Sequence, residues 1–129
     1  MVESNNMIMT DEDFTALMDS ILFPIILSIL ERDIKKLQEV DLKIPMVYIG
    51  YLRKVQDSIT QEMTELRKEM RKLGIKIYED NKTEGGREYK VKCRGYQHTF
   101  GLFTDNIRTK VITRLCEILD IDLTKYGEV

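Results

Sequence analysis

Cys93 and His98 are the residues best suited to covalent chemistry, a thiol and an imidazole five positions apart. A working pair needs the ring nitrogen within about 3 Å of the sulfur and a third group to orient the base. The simpler reading is a half-buried strand cysteine and a histidine near a hairpin base. With one histidine in the chain, a histidine-rich metal site is excluded. Asp11, Glu12 and Asp13 are consecutive carboxylates but lack the spaced oxygen ligands and central glycine of a calcium loop. Gly85-Gly86 has neither a P-loop lysine nor a dinucleotide fingerprint and reads as turn chemistry. The sequence therefore predicts no catalytic residues, no metal ligands, no cofactor and no small-molecule substrate. The chain reads as non-catalytic.

Two surfaces could instead bind a macromolecule. Lys76, Lys82, Arg87, Lys90, Lys92 and Arg94 interleave with Tyr78, Tyr89 and Tyr96, a pattern able to contact phosphates and stack on bases. Arg108, Lys110 and Arg114 extend it on the last helix. The nucleic-acid reading draws on Lys76, Arg87, Lys90, Lys92, Arg94, Arg108 and Lys110. Against it, no short turn sets up a separate recognition helix, and lysine-rich strands also guard sheet edges against mispairing. The second surface is apolar: from Ile21 to Leu30 the chain is greasy on most sides, and Ile21, Leu22, Ile25, Ile26 and Ile29 are the candidates for self-association. A twofold homodimer would bury that surplus. The competing expectation is that the last helix and the hairpin cover it within one chain. Self-association is the favoured reading and nucleic-acid binding the alternative.

The elements that position these residues follow from periodicity. Tyr48, Leu52, Val55, Ile59, Met63, Leu66, Met70 and Leu73 step by three and four, which lines one face of a helix. Pro45 suits its first position and Gly74 its left-handed stop. Such a helix is about 40 Å long, and its other side is strongly charged. Upstream, Thr10 and Asp13 form a capping box that starts a helix at Asp11. Phe14, Leu17, Met18, Ile21, Ile25 and Ile29 mark one stripe, with Leu22, Ile26, Leu30, Ile34 and Leu37 beside it. Pro24 predicts a kink or a break into two helices. Asp41 to Ile44 then turns the chain into an antiparallel helical hairpin.

After Gly74 the period becomes alternating. Ile75 and Ile77, then Tyr89, Val91 and Cys93, predict a β-hairpin with its turn between Asp80 and Arg87. Lys76, Lys90, Lys92 and Arg94 would lie on its exposed face. Gly95 marks a strand end or bulge, and Tyr96, His98 and Phe100 continue an extended segment. Thr104 or Asp105 caps a final helix with Ile107, Val111, Leu115, Ile118 and Leu119 inward. The fold class expected is α+β in the order ααββα. Residues 1–10 read as a flexible tail, 11–120 as one domain, and 121–129 as a tail that either frays or docks through Leu123 and Tyr126.

Length and charge bound the rest. A chain of 129 residues fits one domain. Two cysteines without short metal spacing or a disulfide framework suit a reducing cytoplasm. No basic stretch precedes an apolar core at the start, so no secretory signal is expected. The apolar run from Ile21 to Leu30 is about half what a bilayer needs, so no membrane span is expected. The net charge of −2 conceals asymmetry. Four basic residues face nine acidic ones up to Gly50, fifteen face nine from Tyr51 to Leu115, and one faces four thereafter. An acidic-basic-acidic chain suits contacts between copies as readily as nucleic acid.

The run Leu30, Glu31, Arg32, Asp33, then Leu42-Lys43-Ile44-Pro45, Glu88-Tyr89, Arg94-Gly95-Tyr96 to Phe103 and Asn106-Ile107-Arg108 resembles a family of small proteins of spore-forming Gram-positive bacteria. The resemblance spans Ile21 to Leu119. It implies a single bacterial cytoplasmic domain and brings no reaction, cofactor or partner with it. Members tend to carry Asn-Pro where this chain has Thr104-Asp105, which puts the helix cap in doubt.

Overall fold

The computed structural model describes residues 9–127; most of the expected N-terminal tail and the last two positions of the C-terminal one lie outside them. Helix α1 runs Asp11–Glu39 and α2 Pro45–Leu73. Strands β1 (Ile75–Thr83), β2 (Gly86–Cys93) and β3 (Tyr96–Phe103) follow, then α3 (Thr104–Leu119) and the short α4 (Leu123–Tyr126). The fold is α+β: a helical hairpin, an antiparallel sheet in the order β1-β2-β3, and a C-terminal helix.

The helix ends are set by local chemistry. The Thr10 hydroxyl accepts from the Asp13 amide while the Asp13 carboxylate accepts from the Thr10 amide, the two halves of a capping box. Pro45 opens α2, and Gly74 closes it at φ +71 with its amide on Arg71 and Met70. Pro24 does not divide α1, which is one continuous helix. Its ring lies on the exposed side, so water can satisfy the Ser20 carbonyl that loses its helical donor.

In the sheet, Tyr78 is an extra residue between Ile77 and Glu79 and shifts the register. The first turn is shorter than expected, only Glu84 and Gly85, with Gly85 at φ +81. Arg94 and Gly95 form the second turn, both with positive φ, as a tight hairpin requires. The extended segment after Gly95 is a full third strand, paired with β2 from Tyr96 to Phe103. Thr104 does not cap α3, whose start has no side-chain cap. Its hydroxyl and amide both donate to the Gly85 carbonyl instead, fastening the helix start to the first hairpin turn.

Helix α1 is the centre of the core. Leu17, Ile21, Phe23, Ile26 and Leu30 pack with Val55 and Ile59 of α2, Tyr89, Val91 and Cys93 of β2, Leu102 of β3 and Val111 of α3. The predicted stripe on α2 is covered from Leu52 onward, but Tyr48 at its start is exposed. At the open end of the helical hairpin, Arg94 places one guanidinium nitrogen 3.1 Å and another 2.6 Å from the two Asp13 carboxylate oxygens, and donates to the Leu73 carbonyl at 2.7 Å. One side chain thereby joins the start of α1, the end of α2 and the β2–β3 turn.

Candidate interaction surface

Three of the five residues expected to self-associate are interior. Ile21, Leu22 and Ile26 are buried within the chain, while Ile25 is partly covered and Ile29 is 38% exposed. The three buried residues belong to one cluster with Val55 and Ile59 of α2, Tyr89, Val91 and Cys93 of β2, Leu102 of β3 and Val111 of α3, so α2, the sheet and the last helix cover them within the chain. Ile25 and Ile29 floor an open cleft of about 570 Å³ with Ile77 and Ile107, rimmed by Lys82, Arg87 and Asp80.

Bare apolar surface collects instead at the closed end of the helical hairpin. Val40, Ile44, Met46, Val47, Tyr48 and Tyr51 are all exposed, Met46 by 66% and Val47 by 56%. Ile44, Val47, Tyr48 and Tyr51 stand at i, i+3, i+4 and i+7, one continuous stripe along the first turns of α2. At about 100° per residue it overlaps the buried stripe through Leu52, Val55 and Ile59, and what sets it apart is its place at the end of α2 that the chain leaves uncovered. The spacing is present in the sequence, but Tyr48 also fits the eight-residue periodicity that ends at Leu73. Pro45 alone marks the start of α2: Ile44 offers no side-chain cap and the first turn carries no acidic residue. Asp41 and Lys43 in the connection are exposed, so the rim of the patch is polar.

The basic residues are dispersed. Arg94 is drawn from the expected free face into the Asp13 clasp. Arg87, after the Tyr78 bulge, sits on the helix-facing side and pairs with Asp80 at 2.8 Å. Lys90 lies 3.8 Å from Glu79. Lys76 and Lys92 are neighbours on the outward face, with Lys92 over the Tyr78 ring. Arg108 is exposed on α3, whereas Lys110 lines a groove with Phe14 and Met18 of α1.

The thiol and imidazole do not form a unit. Cys93 is opposite Tyr96, and His98 is opposite Val91. Burial pushes the Cys93 thiol up, and the Asp13 carboxylate 3.7 Å away adds to the effect; the thiolate is disfavoured, the reverse of what a nucleophile needs. The Arg94 guanidinium holds the Asp13 carboxyl well below the usual carboxylate range. Among the described residues no three His, Cys, Asp or Glu side chains gather as a metal site.

The YhjD protein family matches this chain over residues 8–123. The chain belongs to that family. No curated protein and no solved structure matches it. In this YhjD-family chain, α1 is long and apolar enough to cross a membrane by length and composition, yet half of its most apolar window is buried in the fold. A core helix satisfies the same criterion. The matched span takes in the central helix, the hairpin end, the sheet and α3, so the apolar end belongs to the family's domain.

Proposed function

We propose that this chain is a non-catalytic interaction module of the cytoplasm that self-associates through its helices, with the closed end of the helical hairpin as the contact surface. The observation that carries this reading is the exposed stripe Ile44, Val47, Tyr48 and Tyr51, flanked by Val40 and Met46. Fully burying one such side chain is worth about 1.5–3 kcal/mol. A twofold contact brings the stripe onto its own copy, and its polar rim leaves the two acidic and basic chain regions free to complement one another. The six side chains make a small interface, so association is weak and depends on concentration.

Sedimentation equilibrium tests the reading. The mean mass of the wild type is expected to rise above that of a monomer through the micromolar range, and Val47→Asp with Tyr51→Asp is expected to lower it at unchanged circular dichroism. A wild type that remains monomeric, or a mass indifferent to the two substitutions, refutes it. The alternative, nucleic-acid binding, has Lys76 and Lys92 beside Tyr78 in its favour. The pairing of Arg87, Lys90 and Arg94 with carboxylates weakens it, because phosphate contact then competes with an internal partner. Passage through a heparin column at low salt is the outcome expected here.

A further inference from the structure

The two edges of the sheet are unlike. Edge strand β1 carries Lys76, Glu79, Asp80 and Lys82 and is bent by the Tyr78 bulge, the usual protections against pairing with another chain. Edge strand β3 reads Tyr-Gln-His-Thr-Phe-Gly-Leu-Phe: no lysine, no carboxylate, no proline, and an unbroken register with β2. Among the described residues, no backbone–backbone hydrogen bond reaches β3 except its ladder with β2.

The hydrogen-bonding phase follows from the turn. Around the two-residue Arg94-Gly95 connection, Cys93 and Tyr96 close the hairpin as a hydrogen-bonded pair. Alternation then directs the amides and carbonyls of Gln97, Thr99 and Gly101 away from β2, to the open side. Those are the groups a further strand would meet.

We propose that the β3 edge pairs antiparallel with the β3 edge of a second copy of this chain, merging the two three-stranded sheets. The proposal rests on the reading of the chain as self-associating but uses a different surface from the hairpin end. The occupant is a second copy because the strand complements itself. A twofold axis at Thr99 sets Thr99 against Thr99, Gln97 against Gly101, and Tyr96 against Leu102, with no charge opposite a like charge. The same register brings Phe103, 70% exposed, to the partner's turn glycine at position 95 and covers Tyr96, itself 40% exposed. The β1 edge set against itself would be bent and charged. Two distinct twofold contacts on one chain allow growth beyond a dimer.

Four proteins separate the surfaces in sedimentation equilibrium: wild type, the hairpin-end variant Val47→Asp/Tyr51→Asp, an edge variant, and their combination. Thr99→Pro deletes an outward donor without touching the β2 ladder; Thr99→Lys keeps the backbone and sets two like charges across the axis, serving if the proline variant misfolds. The hairpin-end variant is expected to remain a dimer, and the combination to be a monomer. In that dimer, hydrogen exchange at Gln97, Thr99 and Gly101 is expected to slow at least tenfold as concentration rises. A monomeric hairpin-end variant, a combination that stays dimeric, or exchange at those amides that ignores concentration overturns the proposal; the last result would mean that the edge is covered from within its own chain. A monomeric Thr99→Lys single variant would refute association through the hairpin end and leave the edge contact standing.

Discussion

The two ends of one helical hairpin are built on opposite principles. At the open end, Asp13, Leu73 and Arg94 form a hydrogen-bonded clasp at the β2–β3 turn, with Asp13 the one buried charged residue among those described. At the closed end, Val40 to Tyr51 offers large apolar side chains to water with no side-chain cap on α2. The same pair of helices spends its polar chemistry where the fold must be joined and its spare apolar surface where nothing in the chain packs. Stability should therefore depend on one end and association on the other.

The largest effect that separates the two halves is a core truncation. Ile26→Ala, at a fully buried site in the core cluster, is expected to cost about 3–4 kcal/mol in urea unfolding; a loss below about 1 kcal/mol would show that α1 is not the centre of packing.

Next comes the clasp. Asp13→Ala removes half of a capping box and the buried partner of Arg94, with an expected cost of about 2–3 kcal/mol. Because Arg94 lowers the folded-state pKa of Asp13 below its unfolded value, near 3.9, the stabilisation is complete above that value. It is lost as pH falls through it toward the folded pKa. The wild-type urea midpoint should thus drop below about pH 4, and Asp13→Ala should flatten that fall. An equal acid response in both proteins would detach the clasp from stability.

Val47→Asp is expected to change stability least, within about 0.5 kcal/mol by thermal unfolding, since the side chain already lies in water. A large loss would place Val47 inside the fold and remove the contrast between the ends. Ile29→Asp refines the comparison further. It should leave the mean mass unchanged, because the cleft it floors is separate from the hairpin end.

Much of this was legible in the residues. Thr10 and Asp13, Pro45 and Gly74 marked the helix limits because capping chemistry is local, and the alternation from Ile75 to Cys93 gave two strands. The third strand is legible only as an extended segment: Tyr96 to Phe103 lacks a run of β-branched residues, and its pairing depends on a turn made by Arg94 at positive φ, a conformation non-glycine residues seldom take. Spacing alone leaves Ile21, Leu22 and Ile26 looking surplus, because how far the sheet and the last helix cover them is decided by packing. Strand parity puts Arg94 on the basic face and says nothing of a side chain that leaves a turn to reach a carboxylate 81 positions away. The hairpin-end stripe was visible as spacing, but only packing could tell which of two overlapping stripes was buried.

Methionine methyl resonances provide the most direct test of association through the closed end. Met46 lies in the exposed patch and Met18 in the core, so one spectrum carries both the probe and its control. As protein concentration rises through the micromolar range, the Met46 methyl signal should shift or broaden while Met18 stays fixed. A Met46 signal that does not respond to concentration would contradict the account.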